Sequence, residues 1–243
     1  MKEDDVDLES RNAIGGLDRL VTNISLAIVS VFPTFGVAIV QPWKLVPQLA
    51  SNPPDGRRGY LLSPGAYFPI CLTVMLLIAA LFATEETLAS NGGAIGPGMA
   101  IAVAEAASSG NLWRTISILA PLYFIAVIAG VAAQIIRPFA GSWWTMRVSL
   151  RAALYQMTTS IGWIILSSAV IDLISVSNPG TGIGGQLYAM NEYIIFGMAW
   201  WIYFCFLKWG GKLSTLRALI LSACILGFVA LIVIASNWAL AAV

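Results

Sequence analysis

Residues Thr115 to Ile136 read TISILAPLYFIAVIAGVAAQII, with no charged side chain between Arg114 and Arg137. A helix rises 1.5 Å per residue, so about 20 mostly apolar residues cross the ~30 Å hydrocarbon core of a bilayer. This stretch is long enough to do so. Working outward, the same uncharged pattern returns at 59–84, 152–171 and 218–243. A fifth stretch, YIIFGMAWWIYFCFL at 193–207, is shorter and puts Glu192 at or just inside the boundary.

Composition agrees with that reading. Hydrophobic residues make up 58% of the chain and charged residues 10%, with a mean hydropathy of +0.83. Soluble domains average about 45–50% apolar and about 25% charged. There is too little charge to coat a 25.9 kDa globule, and the chain is too apolar to be disordered. The expected fold is all-α, a polytopic integral membrane bundle of five transmembrane helices.

Upstream, Val21–Val40 is apolar but holds Pro33, with Pro42 and Pro47 following. Proline ends or kinks helices. The stretch therefore reads as a kinked interfacial or re-entrant helix. The expected organisation is an acidic cytoplasmic tail at 1–20, a proline-bearing interfacial segment and linker at 21–60, and a five-span membrane domain at 61–243. The tail carries six acids against three bases and lacks the basic start of a secretory leader.

Orientation follows from the loops. Arg137, Arg147 and Arg151 fall between spans two and three, and Lys208, Lys212 and Arg217 between spans four and five. The alternate loops hold Arg114 as their one base, beside Glu85, Glu86, Glu105, Asp172 and Glu192. Basic residues near span ends stay in the cytoplasm. The loops at 136–151 and 208–217 are thus expected inside, with Lys44, Arg57 and Arg58, the N-terminus inside and the C-terminus outside. The short loops suggest a bacterial inner membrane. Trp43, Tyr60, Trp113, Trp143, Trp144, Trp209 and Trp238 fall near the expected interfaces, where amphipathic rings are favoured. Trp200 and Trp201 fall mid-span.

Missing residues exclude several chemistries. The chain has no histidine, which removes His-based metal sites, haem ligation by histidine and His-activated hydrolases. Cys71, Cys205 and Cys224 form no CxxC pair and read as small apolar residues. Glu85-Glu86 has the paired-glutamate look of intramembrane CAAX-type proteases, but the histidines that chemistry needs are absent. The glycine-rich segments at 91–98 and 178–185 link spans, so they read as turns rather than phosphate loops. Residues 99–107, MAIAVAEAA, are apolar enough to lie on the membrane surface. A net charge of +1 offers no basic stripe for nucleic acid. No catalytic residue, metal site or cofactor is expected.

Two sets of residues remain as candidates. Asp172 and Glu192 end span three and begin span four; they serve either as coupling carboxylates for a proton or cation or as snorkelling headgroup-layer acids. Arg147 and Arg151 stand one turn apart and on one face, able to clamp an anionic lipid headgroup or an acidic partner, or to anchor topology. Ala126/Gly130 and Ala223/Gly227 have the small-xxx-small spacing that lets helices approach closely. Gln156 to Ser160 are suited to hydrogen bonds between helices.

Three segments carry a family resemblance: LLSPGAYFPICL into span one, RVSLRAALYQM into span three, and KWGGKLSTLRAL between spans four and five. With Pro64, Arg151, Tyr155 and Arg217 at matching places, residues 40–235 resemble the Yip domain family of five-span membrane proteins. The eukaryotic members associate with Rab-type GTPases. The resemblance implies a non-enzymatic protein that organises membrane or recruits partners through its cytoplasmic face, with membrane lipids and a protein as partners. A small permease is the alternative, with Asp172 and Glu192 as coupling groups. An accessory subunit of a larger complex, docking through lipid-facing Trp200-Trp201, is a further one.

Overall fold

A computed structural model of the chain describes the backbone at residues 3–51, 57–58, 60–82, 123–178 and 182–241. Side chains are described at 22–51, 60–75, 77–78, 123–175, 177–178 and 182–231. Almost all of this is helix: α1 (Glu3–Val40), α2 (Val46–Ala50), α3 (Pro64–Phe82), α4 (Tyr123–Ala140), α5 (Met146–Ser177), α6 (Ile183–Cys205) and α7 (Thr215–Ala241). A two-residue hairpin before α3 pairs β1 (Arg57–Arg58) with β2 (Leu61–Leu62), Arg57 opposite Leu62. The all-α expectation holds. Among the described residues, four segments are long and apolar enough to cross a membrane: Thr22–Val40, Tyr123–Ala140, Met146–Ser175 and Ile183–Gly210. Within α3 and α7, Pro64–Met75 and Thr215–Leu231 are shorter apolar stretches. The expected outer loop at 84–114, with Glu85, Glu86, residues 91–98 and 99–107, and Trp113, lies outside the described residues, as does the side chain of Trp238.

Local chemistry sets the helix ends. Thr145 caps α5, its hydroxyl accepting the Val148 N–H at 3.3 Å. At 32 residues α5 is about 48 Å long, more than the core of a bilayer. Gly182, in the left-handed region at φ 67°, makes the turn into α6. α4 tightens to a 3-10 turn at Ala133–Ile136, and α6 widens to a π turn at Phe206–Gly210.

The core lies along α5, flanked by α3, α4 and α6. Tyr67 of α3 stacks obliquely on Tyr155 of α5, ring centres 5.6 Å apart, and its hydroxyl shares a 3.2 Å hydrogen bond with Thr159. α4 meets α5 at Gly130, where an added Cβ would lie 2.8 Å from Leu150 Cα, and Ser149 Oγ donates to the Gly130 carbonyl. The first small-xxx-small pair thus marks a close approach. The second does not: Ala223 is exposed on α7, and nothing lies within 4 Å of a Cβ built at Gly227.

α1 covers residues 21–40, where a kinked interfacial or re-entrant helix is expected, and Thr22–Val40 is long and apolar enough to cross a membrane. It runs unbroken through Pro33, with Ser30 and Thr34 hydroxyls donating to the carbonyls one turn back at 2.6 Å each. Membrane helices tolerate proline where hydroxyls and neighbouring helices satisfy the surrounding backbone. The last turns of α1 pack on α5 and α6. Trp201 of α6 donates its indole N–H to the Ile39 carbonyl at 3.1 Å, and Phe35 lies against Gly162 of α5.

Candidate functional site

The loops at one end of the bundle fold onto one another. Arg151 Nη1 donates to the carbonyls of Ser51 (2.6 Å), Leu49 (3.0 Å) and Gln48 (3.4 Å), closing the C-terminal end of α2. Four carbonyls at any helix end lack an intrahelical partner, and a forked guanidinium satisfies several at once. One turn deeper on α5, the Tyr155 hydroxyl donates to the Leu62 carbonyl at 2.6 Å, while Thr34 of α1 accepts the Leu62 N–H at 3.0 Å. The Gln48 side-chain amide donates a 3.5 Å bond to the Leu61 carbonyl; its amide oxygen Oε1 is buried with no hydrogen-bond partner among the described residues. The linker at 42–63 is therefore pinned onto α5.

Indoles fasten the remaining loops to this platform. The Trp43 ring sits 5.2 Å from Trp209 and edge-on to Trp201 at 6.3 Å. Trp143 lies over Gly210, leaving no room for a side chain there. Trp144 is wholly buried, its indole N–H donating to the Ala133 carbonyl at 2.9 Å. Lys212 takes a left-handed backbone at φ 52° in the tight loop before α7, a conformation that costs a non-glycine residue about 1–2 kcal/mol.

The result is one basic end. Seven described side chains, those of Lys44, Arg137, Arg147, Arg151, Lys208, Lys212 and Arg217, belong to these joined segments. The two described carboxylates, Asp172 and Glu192, lie toward the opposite end. Along α5, Arg151 and Asp172 are about 32 Å apart by helical rise, close to the thickness of a hydrocarbon core.

Arg147 and Arg151 differ in their surroundings. Arg147 is exposed, whereas Arg151 is partly buried and spends its donors on backbone carbonyls. Asp172 and Glu192 also differ. Asp172 is buried at 4% exposure, and its Oδ1 accepts the Tyr188 hydroxyl across α5 and α6 at 2.5 Å. Glu192 is exposed one turn further along α6. Beside it, Asn191 accepts the Trp163 indole N–H and donates to Ser167, both at 2.9 Å. Tyr188 and Asn191 were not among the expected site residues. Their one signal was register: they lie opposite Asp172 and Ser167 once α5 and α6 are paired antiparallel.

Other expectations divide. Cys71 and Cys205 are buried, but Cys224 is exposed on α7. Trp200 and Trp201 are half-buried and packed on the core rather than turned wholly to lipid. Among the described residues no three His, Cys, Asp or Glu side chains gather as metal ligands. Residues 179–181 of the glycine-rich turn lie outside the described residues.

No family model, curated protein or solved structure matches this chain. These comparisons do not bear on the Yip resemblance. In the structure Pro64 opens α3, Arg151 and Tyr155 hold the linker before it, and Arg217 is exposed at the start of α7.

Proposed function

We propose that the chain is a non-enzymatic, multi-pass membrane protein of Yip-like type that organises membrane or recruits a partner at its basic end. The observation that carries the reading is the segregation of charge: seven described cations on one indole-braced platform, and both described carboxylates toward the other end. Positive residues near span ends mark the cytoplasmic side. In the proposed topology α3 to α7 supply the five expected spans, with the basic loops inside and the C-terminus outside, in a bacterial inner membrane. α1 is read as a further crossing helix, which puts the N-terminus outside; the length and apolar composition of Thr22–Val40 support this.

The second reading is a small permease, favoured by Asp172, a buried acid within a span and held by Tyr188. Acids inside spans commonly mark ion or proton paths. The accessory-subunit reading is weaker, because Trp201 is already bonded to α1.

Native mass spectrometry after mild detergent extraction separates them, comparing wild type with a Lys44→Glu/Lys212→Glu variant. A stoichiometric protein partner, lost on charge reversal, supports recruitment at the basic end. A lone chain that moves a solute in proteoliposomes, and stops when Asp172→Asn is made, replaces it with the permease reading.

A further inference from the structure

Two hollows flank the last turns of α4, on either side of the same short segment. The first, about 580 Å³, is lined by Gln134, Arg137, Pro138, Gly141, Ser142 and Met146 and opens at the basic end. The second, about 410 Å³, runs between α4 and α7 past Ile135, Phe139, Leu221, Phe228 and Leu231, with Gly227 in its wall. The first carries Arg137, Gln134 and Ser142 among apolar neighbours; the second is apolar. They share the rim formed by residues 134–139.

We propose that this pair of hollows is a binding site for one anionic phospholipid, its phosphate held at Arg137 and one acyl chain laid in the groove against α7. Three observations carry it. Arg137 is exposed, and no carboxylate among the described residues pairs with it. Its flexible apolar stem lets the guanidinium reach over the rim. The groove from Leu221 to Leu231 is about 15 Å long by helical rise, the depth of one leaflet, and it starts at the basic end where the headgroups of that leaflet would lie. Gly227 presents no side chain to the groove, and no described residue lies within 4 Å of a Cβ built there.

The site rests on the reading of the basic end as the headgroup-facing surface, but the two can fail separately. The test is native mass spectrometry of the full chain released from nanodiscs of mixed phosphatidylglycerol and phosphatidylcholine. Wild type should retain one phosphatidylglycerol in preference to phosphatidylcholine. Arg137→Gln should cut that preference about fivefold, the factor matching ~1 kcal/mol for one basic residue near an anionic surface. Gly227→Leu should reduce retention of both lipids by filling the groove. As a check independent of folding, short-chain phosphatidylglycerol should compete on wild type, and glycerol phosphate should not.

Equal retention of the two lipids by wild type overturns the site. So does an unchanged preference in Arg137→Gln; with anionic nanodiscs still favoured, that result would leave the basic end as a general surface. Competition by glycerol phosphate overturns the lipid in favour of a free phosphate ligand.

Discussion

Arg151 reaches Ser51 across a hundred residues of sequence, its Nη1 2.6 Å from the carbonyl oxygen, with the Leu49 carbonyl at 3.0 Å beside it. One side chain of α5 thereby holds the end of α2 and the linker that leads to α3. Charge-assisted bonds to otherwise unpaired carbonyls are worth more than neutral ones, and losing the donor leaves those acceptors partly buried and unmet.

Arg151→Gln should therefore lower stability by about 1–3 kcal/mol. Arg151→Lys should recover only part of this, since the lysine Nζ stops one bond short of the Nη1 that makes all three contacts. Arg147→Gln, one turn away and exposed, should change stability by less than about 0.5 kcal/mol. Thermal unfolding of the three variants in one detergent checks the ranking. Equal losses at Arg147 and Arg151 would show that the bonds to α2 contribute nothing.

Asp172 and Tyr188 allow a second comparison. Tyr188→Phe removes the hydroxyl that donates to the buried carboxylate and should cost about 1–3 kcal/mol. Asp172→Asn retains an acceptor oxygen for Tyr188 and should cost less. Glu192→Gln, at an exposed position, should be close to neutral in stability. If a solute is transported, Asp172→Asn should abolish transport and Glu192→Gln should leave it. The reverse result would move the coupling role to Glu192.

These two pairs show what local sequence reveals. Spacing placed Arg147 and Arg151 on one face, and both lie on α5 one turn apart. Spacing does not say which of the two meets another segment, because the carbonyls that Arg151 binds belong to residues 48–51. The carboxylates were visible as acids at span ends, but Tyr188 became a partner only through the antiparallel register of α5 and α6. Uncharged runs were legible because the bilayer penalises every buried charge within the segment itself. Pro33 is harder to read for the opposite reason. A proline signal is local, whereas its tolerance depends on Ser30, Thr34 and the helices packed against α1.

Glycine offers a sharper packing test. Gly130→Ala should destabilise by about 1–3 kcal/mol, because the new Cβ would meet Leu150 backbone at 2.8 Å and neither helix can yield cheaply. Gly227→Ala has the same chemistry on α7, with nothing within 4 Å, and should be neutral or slightly stabilising, as alanine is the better helix former. Unfolding midpoints for the pair decide whether both small-xxx-small motifs pack within the chain or only the first.

The course of α1 gives the last prediction. Measured along α5, Gly162 lies about 16 Å deeper than Arg151 by helical rise. The Phe35 ring of α1 reaches it from a backbone five residues short of Val40. Thr22 is a further 13 residues back, about 20 Å along the helix. Thr22–Val40 is long and apolar enough to cross a bilayer, and the proposed topology has α1 cross it. Single cysteines introduced near Asp5 and beyond Val243, in a chain whose native cysteines are replaced by alanine, should then react with an impermeant thiol reagent from the same side. A basic-end cysteine at Ser214 should react from the other. Labelling of the two termini from opposite sides would restore the re-entrant reading of residues 21–40, and with it an odd number of crossings.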